Sequence, residues 1–378
     1  MARLFVPRES AEGERRVAAT PASVRKLVGS GLTVQVEGGA GRHAHFEDAA
    51  YVDAGAEIVD GGAVGEAQLV ARVMPPTVDE VAALASGTIL LSFTAPHRHL
   101  DVVEALAERQ VSTLAMELVP RISRAQSIDA LSSQANIAGY RAVITAAYEL
   151  DKYFPLFMTA AGTIRPATVV VLGAGVAGLQ AVATARRIGA VVKVSDIRAA
   201  AKEEVASLGG TFIDVPQDED LAGEGGYAKE VDEDFLTRQR RILTENLEGA
   251  HAAITTAAIP GRPAPRLMTA EMVEAMPAGA VVIDLAAADG GNCELTSIEG
   301  MVEHGGVRVF PGHNLPSTMP AEASTLYANN ITSFLALLAP EGEVTLDLDD
   351  EVVAGALLTH AGEILHERTA DLVRGDGS

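Results

Sequence analysis

The chain has 378 residues, 48% of them hydrophobic, which suits a globular protein with room for two domains that each bury a core. A formal net charge of −22, with five lysines among 29 basic residues, excludes the clustered cationic surface that neutralising nucleic-acid phosphates requires. With no tryptophan and 4% aromatic residues there is little to stack bases on.

One cysteine, Cys293, forbids an internal disulfide and fits a reducing, cytoplasmic location. Met1 to Arg8 enters a strand pattern at once, without the charged-then-apolar order of a signal peptide. The acidity reads as a general surface property that favours solubility in a salty or crowded cytoplasm.

Residues 4–6 and 33–37 read as strands on either side of a helix from Pro21 to about Ser30, with Thr20 placed to cap it and Pro21 at its first position. Strands at 68–73, 88–92 and 112–115 then alternate with helices at 78–85 and 101–109, the order of a parallel α/β sheet. This half lacks a glycine fingerprint and is not expected to hold dinucleotide phosphates. From Ser132 to Tyr153, apolar residues such as Ile137, Tyr140, Val143, Ala147 and Leu150 recur at helical spacing, over a length that can bridge two domains.

The stretch Thr168 to Ala185, closed by Val191 to Asp196, reads as strand, glycine turn, helix and second strand ending in an acid. Gly173 permits the tight turn, Gly175 lets backbone approach a pyrophosphate, and Gly178 lets helix pack on strand. Together with Ala174, Val176 and Ala177 they present the helix start, whose free N–H groups favour phosphate. Asp196 lies near the offset at which a carboxylate accepts hydrogen bonds from an adenosine ribose, and Ile197 and Arg198 follow it. The absence of charge from 166 to 185 also admits a membrane span, but Pro166, three glycines and the run Thr168 to Val171 describe a buried parallel strand turning into a helix.

Later strands are expected near 211–213, 252–255, 280–285 and 307–310, and a second long helix, 321–338, returns the chain to its first domain. The acidic stretch 346–351 reads as solvated and the tail after Arg374 as frayed. Between Asp214 and Glu233 the chain is polar and glycine-rich, and a loop of that length is functional or disordered. Gly225 and Gly226 suit a hinge moving Tyr227 as a lid; a solvated insertion is the alternative. The expected fold is α/β, two Rossmann-like parallel-sheet domains joined by two long helices with a cleft between them. The first comprises 1–132 plus 327–378 and the second 133–326.

The run Pro120 to Val143 closely resembles the NAD(H)-binding component, domain I, of proton-translocating transhydrogenase, within the alanine dehydrogenase superfamily. So do Gly173 to Gly178, Ser195 to Arg198, Gly225 to Lys229, Thr255 to Gly261 and Asp284 to Asn292. The segment Val6 to Pro21 is similar in both branches. Alanine dehydrogenases carry a substrate-holding lysine where this chain has Val73-Met74-Pro75-Pro76. Their histidine motif is not reproduced by Leu91 to His99, leaving His97 and His99 as surface residues, and their acid before a Gly-Gly pair is Ala288 here.

In the transhydrogenase branch, Arg121, Gln126, Asp129 and Ser132 would surround the nicotinamide, whose carboxamide offers one acceptor and two donor hydrogens to such groups. A polar loop capping the next helix is the plain alternative for Asp129 and Ser132. The resemblance further implies cofactor contacts at Thr256, Ala257, Ala258, Gly226 and Tyr227, with Tyr227 on a mobile loop, and no metal.

It implies an NAD(P)+ transhydrogenase of the Si-specific/Re-specific, proton-translocating class, in which this peripheral subunit passes hydride from NADH to NADP+ on a partner component. A membrane-spanning subunit would carry the protons, the chain would be a homodimer, and it would sit at the inner face of the cell membrane. Asp196 favours NAD(H) over NADP(H), although Arg198 leaves the latter possible in principle. An alanine-dehydrogenase-like amino-acid dehydrogenase and a non-enzymatic NAD(H)-binding protein are the alternatives.

Overall fold

The structure is a computed structural model that describes residues 1–214, 233–259 and 261–375. They divide into two compact units, Met1–Gln134 with Pro316–Ser378, and Ala135–Leu315. The second junction falls at 315/316, ahead of the returning helix, where the sequence reading put it at 326/327.

The first unit begins β1 (Arg3–Val6), α1 (Pro21–Gly29), β2 (Thr33–Glu37), α2 (Asp48–Asp53), β3 (Glu57–Val59), β4 (Leu69–Ala71), α3 (Val78–Ala83), β5 (Ile89–Ser92), α4 (Leu100–Glu108) and β6 (Ser112–Ala115). Thr20 starts α1 through a capping box with Ser23, and Thr77 does the same for α3 with Glu80. The six strands are parallel in the order β6-β5-β4-β1-β2-β3. Side chains alternate across them. Leu4, Val6, Val34, Val36 and Leu91 fill one core, while Phe5, Val70 and Leu90 fill another with Val102 and Leu106 of α4. Because the chain steps from β1 to β2 and β3 on one side and from β4 to β6 on the other, its direction reverses between β1 and β4.

Helix α5 (Ala130–Glu149) carries the chain into the second unit. There follow β7 (Phe157–Thr159), β8 (Gly162–Ile164), β9 (Thr168–Leu172), α6 (Val176–Arg187), β10 (Val191–Ser195), α7 (Ala201–Ser207), β11 (Thr211–Phe212), α8 (Glu233–Leu247), β12 (Ala252–Thr255), α9 (Ala270–Glu274), β13 (Val281–Asp284), β14 (Val302–His304) and β15 (Val307–Pro311).

Its main sheet runs β11-β10-β9-β12-β13-β15-β14, parallel except for the last strand, and reverses between β9 and β12. Val169 and Val171 pack with Ala142 and Val143 of α5 and Ala181 and Val182 of α6. Val170 and Leu172 face Leu243 and Leu247 of α8. The uncharged stretch 166–185 is therefore a central strand covered on both faces plus a 12-residue helix. Among the described residues no helix is long and apolar enough to cross a membrane.

The chain returns through α10 (Pro320–Leu338) and ends with α11 (Glu351–Ala356), β16 (Leu357–His360), β17 (Glu363–Ile364) and α12 (Glu367–Arg374). Tyr327, Ile331 and Phe334 of α10 complete the first unit's core, and β16 pairs antiparallel with β6. β3, β14, β16, β17 and the β7–β8 hairpin escaped the sequence reading because each is two to four residues long and lies at a sheet edge or stands apart. The expectation of a solvated 346–351 stretch is corrected at Asp350. It accepts from Val352 and Val353 N–H to cap α11 and pairs with Arg124 at 2.6 Å.

Candidate functional site

In the second unit the predicted cofactor residues collect at the carboxyl ends of β9, β10 and β12, beside the β9/β12 reversal, where open α/β sheets place their ligands. Gly173 has φ +99°, and a Cβ there would stand 2.7 Å from Thr256 Oγ1. At Gly178 a Cβ would lie 1.9 Å from the Gly173 carbonyl oxygen, so helix and strand meet through bare backbone.

Gly175 differs. A Cβ there would meet nothing within 4 Å, and Gly175 caps α6 with no side-chain hydrogen bond. Val176, Ala177 and Gly178 thus start a helix whose first N–H groups lack intrahelical acceptors and carry its positive dipole end. Open space above such a terminus fits a pyrophosphate.

The floor of this turn is cross-braced. Thr256 Oγ1 donates to Gly173 O at 3.0 Å, and Gly173 N–H donates to Ser195 O at 2.8 Å. Asn292, buried, receives the Ala257 N–H at 3.0 Å and donates to Ala257 O at 2.8 Å, fixing that peptide beside exposed Ala258. Asp284, also buried, accepts from Ala286 N, Cys293 N and Thr296 Oγ1 and holds the loop that carries Asn292. Sequence reading quoted Asp284 and Asn292 only as part of a motif. A second residue it passed over is Gly139 of α5, where a Cβ would approach Ala177 O to 2.0 Å.

Asp196 is 8% exposed and its carboxylate is engaged within the chain. Oδ2 accepts from Ala174 N–H at 2.7 Å and Arg198 Nη2 at 2.9 Å, and Oδ1 accepts from Arg198 N and Nε at 2.9 Å each. Burial pushes its pKa up, but these bonds to Arg198 and Ala174 win and hold it below the ordinary carboxylate value. Ile197 lies between them, half-buried. A ribose hydroxyl approaching this acid meets Arg198 first. Gly226 and Tyr227 lie outside the described residues.

In the first unit, Arg121, Gln126, Asp129 and Ser132 all line one pocket of ≈ 250 Å³, together with Pro120, Ile122, Ser123 and Ala125. Asp129 immediately precedes α5. Its Oδ1 accepts from Ser132 N–H at 2.8 Å and its Oδ2 from Ser132 Oγ at 2.6 Å, so the helix-capping expectation for these two residues holds as well. Asn330 of α10 anchors the segment from behind, donating to Ser127 O at 2.9 Å and accepting from Ser133 Oγ at 2.8 Å.

The carboxyl ends of β1 and β4 carry a buried charge cluster. Arg16 gives Nε and Nη2 to Glu14, at 2.8 and 2.6 Å, and Nη1 to Gln134 at 2.9 Å, while Met74 Sδ lies 3.6 Å from Nη2. Glu9 accepts from Val73 N–H at 2.6 Å and lies 3.7 Å from Arg72; burial lifts its pKa to about 7 against these partners. Glu117, also buried, accepts from Thr94 N–H and Oγ1, and burial raises its pKa too. His97 and His99, expected on the surface, are half-buried at the approach to α4, and desolvation lowers the His99 pKa.

Comparison with known proteins places this geometry. The family model for the N-terminal domain of alanine dehydrogenase/PNT matches residues 5–138, and that for the C-terminal domain matches 142–367. The chain is 48% identical to an NAD(P) transhydrogenase alpha subunit of Rhodospirillum rubrum, over 96% of this chain and 98% of that one. It is 28% identical to alanine dehydrogenase of Bacillus subtilis over 97% and 93%.

Among solved structures, a transhydrogenase from Sinorhizobium meliloti superposes with a TM-score of 0.84 at 42% identity, covering 96% of this chain and 99% of that one. An L-alanine dehydrogenase superposes at 0.82 and 27% identity, covering 99% of both. With both domain models matched in order and the higher identities falling to the transhydrogenase side, the chain belongs to the alanine dehydrogenase/PNT family and groups within it with the NAD(P) transhydrogenase alpha subunits.

Proposed function

We propose that this chain is the NAD(H)-binding subunit of a proton-translocating transhydrogenase, presenting NADH for direct hydride transfer to NADP+ on a partner component. The observation that carries this reading is the pocket of Arg121, Gln126, Asp129 and Ser132, whose donors and acceptors match a carboxamide, taken with the lack of a charged substrate group at Met74 and Ala288. The hydride chemistry is supplied by the bound nicotinamide and asks no general acid or base of the protein.

The chain's own residues bind and orient. Gly173 to Gly178 receive the pyrophosphate, and Thr256, Ala257 and Ala258, fixed by Asn292, close the neighbouring backbone. Asp196 takes the ribose hydroxyls once Arg198 yields, and repels a 2′-phosphate. Arg121 and Ser132 donate to the ring's carboxamide, Asp129 accepts from it, and Gln126 reaches toward the second nucleotide. Gly226 and Tyr227 supply the closing loop. In this reading the protons cross through a separate membrane-spanning subunit, and this chain works at the inner face of the membrane.

The β7–β8 hairpin supports a homodimer. Phe157 and Met158 are 43% and 74% exposed, and no charge falls between Tyr153 and Ile164, so two copies can cover these side chains without ionic repulsion. Sedimentation equilibrium is expected to return twice the 39.2 kDa of one chain. A single-chain mass at micromolar concentration would remove the homodimer from the account.

Equilibrium titration of the purified chain tests the cofactor assignment. NADH is expected to bind at least about tenfold more tightly than NADPH, the discrimination of about 1.4 kcal/mol that one repelled phosphate readily supplies. Equal affinities would refute the role given to Asp196. Incubation with alanine and NAD+ is expected to yield no pyruvate, and pyruvate formation would favour the amino-acid dehydrogenase reading.

A further inference from the structure

The pocket in the first unit is closed on one side by a contact that neither the sequence motifs nor the family comparison assigns a role. Arg124 sits in the middle of the pocket-lining segment, between Arg121 and Gln126. Its guanidinium makes a two-pronged pair with Asp350, at 2.6 and 3.0 Å, and reaches Glu351 at 3.5 Å. Asp350 is the N-cap of α11, and the Arg124 hydrogen bonds hold its carboxyl at about 2, well below the ordinary range.

The same helix touches the pocket at a second point: a Cβ on Gly355 would lie 3.1 Å from the ring of Pro120, itself a wall residue. α11 does not depend on the ion pair for its own place, since Val352, Val353 and Ala356 are buried in the core that also takes Ala125 and Ile128. The pair therefore ties the exposed side of a loop to a helix that the core already fixes.

We infer that Arg124 and Asp350 form a positioning pair, latching the Arg121–Ser132 loop to α11 so that its polar groups converge on one pocket. The inference rests on the reading of that pocket as the nicotinamide site. Asn330 fixes the loop from behind at Ser127, and the Arg124 latch fixes the half that bears Arg121. Neither Arg124 nor Asp350 lines the pocket. Their effect is on the loop's geometry, to which hydride transfer is steeply sensitive, rather than on cofactor affinity.

The test uses the full chain carrying Asp350→Asn, Arg124→Gln and both together. Asn caps a helix as well as Asp, so Asp350→Asn removes the charge and leaves α11 capped. Each single variant is expected to slow hydride transfer to the NADP-binding component about tenfold, with the NADH Kd changed less than about twofold. The double variant is expected to be no slower than either single, because the two residues act as one unit. Backbone amides of residues 122–129 are expected to exchange with deuterium faster in Asp350→Asn, with the melting temperature unmoved.

Unchanged transfer in the singles, multiplicative losses in the double, or a Kd loss as large as the rate loss would each overturn the pair. So would unchanged amide exchange. Absence of transfer by the unsubstituted chain would instead count against the proposed function, and the exchange measurement would still decide whether the latch holds the loop.

Discussion

Replacing Arg121 with Ala is expected to lower the rate of hydride transfer by about a hundredfold while the NADH dissociation constant rises only a few-fold. Holding two reacting rings at near-attack distance supplies most of the acceleration in a reaction with no acid or base, and misplacement by about 1 Å costs that much. Arg121 lines the pocket with Gln126, Asp129 and Ser132, and contributes its one fixed positive charge, since Arg124 is turned away onto Asp350 and Glu351.

Asp129→Asn is the companion variant. It preserves a capping side chain before α5 but replaces an acceptor that Ser132 N–H and Oγ both use, so the loop stays folded while its polarity changes. Rapid-mixing measurement of transfer, alongside fluorescence titration of NADH, checks both. An Arg121→Ala protein that transfers hydride at the original rate would show that the pocket does not orient the ring.

Gly175→Val is expected to abolish NADH binding, a loss of at least about a hundredfold or roughly 2.7 kcal/mol, and to leave the melting temperature nearly unchanged. The backbone at Gly175 has φ −71°, which any residue adopts, and its Cβ would enter open space above the start of α6. That space is where the account puts the pyrophosphate.

Gly178→Val is the contrasting case. Its Cβ would collide with the Gly173 carbonyl at 1.9 Å, and the variant is expected to unfold or fail to accumulate. Two glycines three residues apart thus separate ligand space from packing space, and calorimetry with an NADH titration on both variants reads the difference. Normal NADH affinity in folded Gly175→Val would displace the cofactor from the turn.

These glycines were legible in the sequence because their constraints are local. A strand of β-branched residues, a turn that only Gly173 can make and a helix opening at Gly175 are all written within a dozen positions. The same holds for the Thr20 cap of α1 and for the alternation that sends Leu4 and Val6 to one core and Phe5 to another.

Arg121 to Ser132 were another matter. Their residue types allow a carboxamide site, but the spacing alone also describes a helix cap, and the structure shows that Asp129 and Ser132 do cap α5. The resemblance to a family, rather than the pattern, singled them out. What stayed hidden depends on residues far apart in sequence. Arg124 and Asp350 stand 226 positions apart, Asn292 braces Ala257 from 35 away, and Gly139 must be bare because α6 begins against it. The acidic stretch around Asp350 looked solvated for this reason, since nothing near it in sequence announces the arginine that it meets.

The measurement that bears most directly on the central claim is hydride transfer itself. The purified chain is mixed with NADH and a separately purified, NADP+-loaded transhydrogenase component, and NADPH is quantified by chromatography, with each protein alone as control. The account predicts NADPH formation only when both proteins are present, in step with loss of NADH. No NADPH from the complete mixture, with NADH bound and unconsumed, would contradict it.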